Sequence, residues 1–470
     1  MRAKIIPLFW LSLVSILIGL SAGLIVGFEP QLLAMALIAG IGIFCIFTYF
    51  EVTVIGLLII RTSLDIFSDY QLPAAFGVGI IGLTLLYVIV KLLTHQPIKT
   101  DNFWWFFVIW IGFQSLWVIL LPLGGLGLDG SYLSAALREW IRLFAWLMVY
   151  LLVMQLKDRV QPHRMITLLF WGLAIPLSLA SLQLLIPSAL PSMLIYQTDG
   201  GIFETGSRIN GSLGHPNTFT SFIYLFIGLT YWKQSHATSR NPWLLLLGIL
   251  VFFFVSTKSL FGLMMLFTFL FCVLAPQMNV VNLLGGITIL ILVISLFGST
   301  EFGQERLKSI ADTPLLNSNM DIWKAIILSR GDGNSFNWRL SQWYYLLTQW
   351  QNYPWLGFGL GLGKYVSTNG LEPHNDYVRA LVEGGIIGFT SFLTFTSAQV
   401  IRFLQLIRRS PSKSEQQSLS LTLLAMLAGL SVGMITENIW THTTYFFYWF
   451  TISAVVGWDW DTNTQEKNYA

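Results

Sequence analysis

The sequence predicts an all-α polytopic membrane protein, with about twelve to fourteen transmembrane helices and one large extracytoplasmic loop. Three observations predict it. Asp, Glu, Lys and Arg make up 10% of the 470 residues, against about 25% in an ordinary soluble domain. So few charges cannot cover the surface of a soluble chain of this size. The composition holds 35 Phe, 19 Trp and 40 Gly; aromatics mark membrane interfaces and small residues let helices approach. Apolar runs long enough to span a bilayer, roughly 17–25 residues each, recur along the chain.

The runs fall near 5–27, 31–49, 52–66, 73–92, 103–121, 133–155, 164–186, 216–232, 241–256, 259–275, 280–298, 378–405, 416–436 and 439–458. The first is followed by further spans and reads as a transmembrane helix, not a cleaved leader. The run at 52–66 is short and could be partial. With the N-terminus in the cytoplasm, Arg2 and Lys4, then Lys91 and Lys99, then Lys157, Arg159 and Arg164 face inward, as do Lys233 and Arg240, then Arg402, Arg408, Arg409 and Lys413. The short outer connections carry far fewer basic residues, which meets the positive-inside rule. Both termini are therefore expected in the cytoplasm.

Four regions follow. Residues 1–298 are membrane helices with a smaller outer loop near 187–215, and 299–377 form the large outer loop. Residues 378–458 return to the membrane, and 459–470 are a cytoplasmic tail. Within the large loop, 336–352 places Leu340, Trp343, Tyr344, Leu347 and Trp350 at helical spacing. That segment is too polar to span and suits a helix lying at the membrane surface. Pro354 and the glycines at 357, 359, 361 and 363 end it.

A net charge of +3 gives no electrostatic footprint for nucleic acid, and none is expected as a partner. Cys45 and Cys272 lie in apolar runs and read as small packing residues. No His, Cys or carboxylate cluster has metal spacing, so neither metal nor cofactor is expected. Asp459-Trp460-Asp461 resembles a metal-binding Asp-x-Asp, but lies on the expected inner tail with too few supporting ligands.

The most informative stretch is PHNDYVRALVEGGIIGF, 373–389. Pro373 can start a helix, because its missing N–H is unsatisfied there anyway. His374 then sits at the outer mouth with Asn375 beside it, and Gly385 and Gly388 allow a neighbour to pack closely. A histidine facing water beside arginines can take a proton from a hydroxyl. Two further stretches carry arginines: RINGSLGHPN, beginning at Arg208, and RLSQWYYLLTQWQNYPWLGFG, beginning at Arg339.

Together with HNDYVRALVEGGIIG, these stretches resemble the O-antigen ligase and Wzy-type polysaccharide polymerase family, over roughly residues 200–400. The resemblance implies a glycosyltransferase of the bacterial inner membrane with its active site outside the cytoplasm. Its donor would be an undecaprenyl-diphosphate-linked glycan and its acceptor a glycan hydroxyl, with a flippase or chain-length regulator as further partners. Arg208 and Arg339 would hold the diphosphate, and His374 would activate the acceptor. Elementary chemistry agrees: arginine meets a diphosphate bidentately with a permanent charge. A polymerase, as in exopolysaccharide synthesis, is preferred because the aromatic helix and long loop suit glycan binding. The alternatives are an O-antigen ligase acting on lipid A-core and, in another class, a small-anion transporter.

Lys258 lies where the family commonly has an arginine turn, and lysine binds phosphate but also snorkels. Arg142 shares a helix face with Arg138, four residues away. His215 is expected to serve its turn, and Arg61 with Asp65 to form a structural pair. Glu383 is placed to pair with Arg379, while Glu437 and His442 could line the site. The depth of the ionisable groups separates the classes: a cluster at the outer face favours transfer chemistry, and one at the midplane favours transport.

Overall fold

The structure, a computed structural model, describes residues 30–196, 208–274, 280–299, 335–367 and 370–460, with isolated positions between 301 and 324. The expected span at 5–27, the middle of the smaller outer loop at 197–207, Arg306, Arg330 and the tail from 461 lie outside the described residues. Sixteen α-helices are described, and no strand occurs among the described residues.

The first described helices are α1 (Pro30–Thr48), α2 (Phe50–Arg61), α3 (Leu72–Leu93), α4 (Asn102–Leu123) and α5 (Leu133–Met154). A short α6 (Pro162–Leu169) runs through a 3-10 turn into α7 (Ala174–Leu185). Next come α8 (Pro216–His236), α9 (Asn241–Ser256), α10 (Leu260–Leu274) and α11 (Val280–Gly298). The last group is α12 (Ser335–Trp350), α13 (Gly363–Val366), α14 (Asp376–Arg409), α15 (Glu415–Gly433) and α16 (Thr443–Val456). Local signals set the boundaries. Asp101 caps α4 by accepting the Trp104 N–H at 2.8 Å, and Gly124 in the left-handed region ends it. Pro162 and Pro216 occupy first helical positions.

The centre is built from helices that are apolar all round. From Thr444 to Val456 every residue of α16 is buried, and α8 is buried along nearly its whole length. Aromatic rings join α16 to its neighbours: Trp146 of α5 lies 4.4 Å from Phe446, and Phe107 of α4 lies 4.9 Å from Phe450. The outside is apolar as well, with Ile109 69% and Leu245 68% exposed. A protein whose surface and centre are both hydrophobic is solvated by lipid. Five helical segments are long and apolar enough to cross a membrane by length and composition: Leu72–Leu93, Asn102–Leu123, Pro162–Leu185, Asp376–Arg409 and Glu415–Gly433.

Ion pairs mark one end of the bundle. Arg402 meets Asp101 at 2.9 Å, Lys99 meets Asp158 at 2.8 Å, and Lys157 meets Asp459 at 3.0 Å. The loops carrying Arg208 and His374 meet α12, which carries Arg339, at the opposite end.

α14 departs from the sequence expectation in two ways. It begins at Asp376, not at Pro373: Asn375 is the cap, its Oδ1 accepting the Tyr377 and Val378 N–H groups at 2.9 and 3.0 Å. Pro373 and His374 lie before the helix, because His374 turns into the left-handed region at φ 47°. Second, the helix breaks at Gly385, where φ is 62° and ψ −165°. A Cβ there would strike the Trp355 backbone. The glycine-rich loop 354–363 fills the break. Phe358 N–H donates to the Val382 carbonyl at 3.0 Å and Gly359 N–H to Glu383 at 2.9 Å. Ile386 and Ile387 donate back to Pro354 and Trp355 at 2.8 and 3.2 Å. Gly385 thus serves backbone geometry, while Gly388 makes the close approach, to the Trp117 ring.

The surface helix expected at 336–352 is α12, but it turns a different face inward. Asn337, Ser341, Gln342 and Leu346 are buried, and Tyr344 of the apolar stripe is exposed. The reason is polar: Gln342 Nε2 donates to Ser367 Oγ at 2.8 Å and to the Leu371 carbonyl at 2.9 Å. The helix thereby ties the loop at Ser367 and Leu371 to its own inward face.

Candidate active site

Arg208 enters the site from the loop before α8. Its Nε donates to the Thr257 carbonyl at 3.0 Å, beside Lys258 in the α9–α10 turn. Its Nη2 donates to Asn217 Oδ1 at 2.8 Å. Lys258 adopts φ 53°, so the turn bends through a left-handed residue. His215 serves the turn as expected: it caps α8, with Nδ1 accepting the Asn217 N–H at 3.1 Å. Its Nε2 lies 3.2 Å from the Tyr196 hydroxyl.

Arg339 comes from α12, where Nη1 donates to the Thr436 carbonyl at 3.4 Å and the guanidinium lies 5.8 Å from the Trp338 ring. Trp338 also meets His374 edge-on at 5.5 Å. The Trp343 indole donates to the Pro373 carbonyl, tying α12 to the chain that carries His374.

His374 faces Glu437 of the α15–α16 connection, with Nδ1 3.3 Å from Oε1. The other carboxylate oxygen receives the Asn217 amide. One buried carboxylate therefore touches His374 directly, reaches Arg208 through Asn217, and lies in the field of Arg339. Three loops far apart in sequence meet there. Burial pushes the Glu437 carboxyl up, but His374, Arg339 and His442 outweigh it and hold it well below the usual carboxylate range. The surroundings of His374 thus include an anion as well as the arginines. His442 stands behind, its Nδ1 2.9 Å from Ser221 Oγ, and burial lowers it to about 4. Burial, then the field of Arg208 and the neighbouring histidines, lowers His215 to about 3 against the pull of Glu437.

Asn375 shapes the backbone: its side chain caps α14, and its N–H donates to Asn438 Oδ1 at 3.2 Å. Arg142 joins a second cluster. It pairs with Glu139, which also accepts from Arg379 Nη2 at 2.9 Å. Arg379 Nε meets Glu383 at 3.0 Å, the pairing expected one helix turn apart. Glu383 in turn accepts the Gly361 and Gly363 N–H groups at 2.8 and 3.1 Å, which pins the glycine loop to α14. The cluster borders a cavity of about 60 Å³ whose wall also includes Trp117 and Trp440. Arg138, by contrast, is exposed and, among the described residues, bonds to Ser134 of its own helix. Arg61 and Asp65 form the expected pair at 2.7 Å. Among the described residues no group of three His, Cys, Asp or Glu is placed to hold a metal ion.

From sequence alone Glu437 had only a lining role, and Asn217 and Trp338 had none. A Pro-Asn dipeptide after the arginine was the one available signal for Asn217. Glu437 lies 63 residues from His374 with no local pattern to join them.

The fold and site together define a polytopic helical membrane protein with an arginine–histidine site at one end. Residues 235–393 match the family described as O-antigen ligase, a stretch that includes Lys258, Arg339 and His374. Over that stretch the chain is similar to the O-antigen ligase family. Arg208, Asn217 and Glu437 fall outside it. No curated protein matches the chain.

Proposed function

We propose that this protein transfers a glycan from undecaprenyl diphosphate to a sugar hydroxyl on the extracytoplasmic side of the bacterial inner membrane, as a polysaccharide polymerase. The observation that carries the reading is the meeting of Arg208, Arg339 and His374 around Glu437 at one end of the bundle. His374 takes the proton of the acceptor hydroxyl, whose oxygen bonds to the anomeric carbon of the donor sugar. The bond from that carbon to the diphosphate oxygen breaks, and Arg208 and Arg339 meet the charge left on the lipid diphosphate. Outside the cytoplasm nucleotide sugars are absent, so a lipid-linked donor supplies the leaving group.

The transport alternative draws on the break in α14, since transporters use broken helices to bind ions. Here the freed carbonyls of Val382 and Glu383 already accept from Phe358 and Gly359. The nearby Glu139 and Glu383 carboxylates are bonded to Arg379. Those groups serve packing.

The test restores the protein to cells that lack it and have accumulated lipid-linked repeat units. A polymerase yields a ladder of lengthened lipid-linked glycan. Single units appearing on lipid A-core would make it a ligase, and unchanged lipid-linked units would end the transfer reading.

A further inference from the structure

We propose that Glu437 is the positioning residue of His374: its carboxylate decides which ring nitrogen holds the proton and couples that choice to the seat of Arg208. This rests on the transfer reading above and adds a residue that the matched stretch does not contain.

A neutral imidazole has one donor nitrogen and one acceptor nitrogen, and only the acceptor can serve as a base. An ionised carboxylate only accepts hydrogen bonds. Glu437 Oε1, 3.3 Å from Nδ1, therefore places the proton on Nδ1 and leaves the Nε2 lone pair for the substrate.

The other half of the carboxylate has an equally fixed polarity. Arg208 can only donate, so it sets Asn217 Oδ1 as the acceptor, at 2.8 Å. The Asn217 amide nitrogen must then point to Glu437 Oε2, as it does. Arg208 donates to Asn217, Asn217 donates to Glu437, and His374 donates to Glu437. No member of this chain can reverse without leaving a donor facing a donor or an acceptor facing an acceptor, which is costly in a buried network.

The backbone holds the same arrangement. Asn438 N–H donates to Glu437 Oε1 at 3.2 Å, Asp376 N–H to the Met434 carbonyl at 2.9 Å, and Trp440 N–H to Asp376 Oδ2 at 3.1 Å. These bonds lash the His374 segment to the connection that carries Glu437. They also hold His374 in its left-handed conformation, which persists only where the surroundings over-determine it.

The experiment uses full-length protein in detergent micelles, with an undecaprenyl-diphosphate-linked glycan as the probe, and measures kcat and donor KM. Glu437→Gln keeps an amide oxygen for Asn217 but turns an N–H toward His374, inverting the favoured tautomer. Its kcat is expected to fall by roughly 10- to 10⁴-fold, the range seen when an imidazole loses its orienting carboxylate, while donor KM changes little. Combined with His374→Gln, it should cost nothing further, because both act through one group. Glu437→Asp keeps the charge and retracts it by one methylene. It should lose part of kcat with KM intact, and it carries the same comparison if the Gln variant does not fold. Wild-type kcat in the Gln or Asp variant, or multiplying losses in the double variant, would overturn the assignment. Wild-type transfer by His374→Gln alone would instead overturn the base role of His374, and an absence of transfer by the wild-type protein would overturn the transfer reading.

Discussion

In the proposed site, arginine at positions 208 and 339 serves by its geometry as well as its charge. Arg208 spends Nε on Thr257 and Nη2 on Asn217, so its planar fork is seated before any ligand arrives. A lysine ammonium cannot span two such acceptors in fixed directions. Arg208→Lys and Arg339→Lys should each lose most of the transfer activity at near-normal protein abundance; full activity in both would remove the pair from the site. The buried histidines lead to a second expectation, about pH. His442 and His215 are depressed to about 4 and about 3, whereas an unfolded histidine titrates near 6.5. The unfolded chain therefore binds protons that the folded chain refuses, and stability is lost as pH falls from about 6.5 toward 4. The thermal midpoint in detergent should drop between pH 7 and pH 5, and less steeply in His442→Gln. A midpoint that does not change with pH would contradict the burial of neutral imidazoles.

Among the elements, α14 carries the most consequence. Its start presents His374, and its break at Gly385 receives the loop that pins Glu383. Gly385→Ala would add a Cβ in the left-handed region and against the Trp355 backbone. Gly388→Ala meets only the Trp117 ring, at 3.2 Å. The first should lower both thermal midpoint and activity far more than the second; equal effects would show that the break is not required. Much of this element was legible in sequence. The His-Asn motif and the apolar run placed the helix within a few residues. Its cap was misplaced because Pro373 is a good helix start locally, while His374 takes its conformation from contacts with α12 and the α15–α16 connection. The Gly385 break was illegible for a similar reason: a Gly-x-x-Gly pair in an apolar run looks like helix packing, and only the tertiary contact with loop 354–363 makes it a bend. In α12 the hydrophobic stripe was visible, but the bonds of Gln342 to Ser367 and Leu371 go with the other face turned inward.

At the scale of the whole molecule, alternating helices sort the polar groups to two ends. The pairs Lys99–Asp158 and Arg402–Asp101 hold one end, and the Glu437 and Arg379 clusters hold the other. Hydropathy alone makes the helices legible, but contacts such as Glu139 with Arg379, 240 residues apart, have no trace in a single sequence. The site end is expected to face away from the cytoplasm. With both native cysteines replaced by serine, a cysteine at the exposed Asn352 should react with an impermeant thiol reagent in cells with a permeabilised outer membrane. A cysteine at the exposed Ser412, at the other end, should react only after lysis of the inner membrane. The reverse pattern would invert the orientation.

The central claim is that His374, flanked by Arg208 and Arg339, removes the acceptor proton during glycan transfer from a lipid diphosphate. The most direct measurement is the transfer rate of purified His374→Gln beside wild type, with undecaprenyl-diphosphate-linked glycan as donor and both proteins shown to share the same thermal midpoint. General-base assistance is typically worth ~10²–10⁴-fold, so glutamine, which keeps a polar side chain but cannot accept the proton, should slow transfer by about that factor with donor KM retained. A His374→Gln rate equal to wild type would contradict the claim.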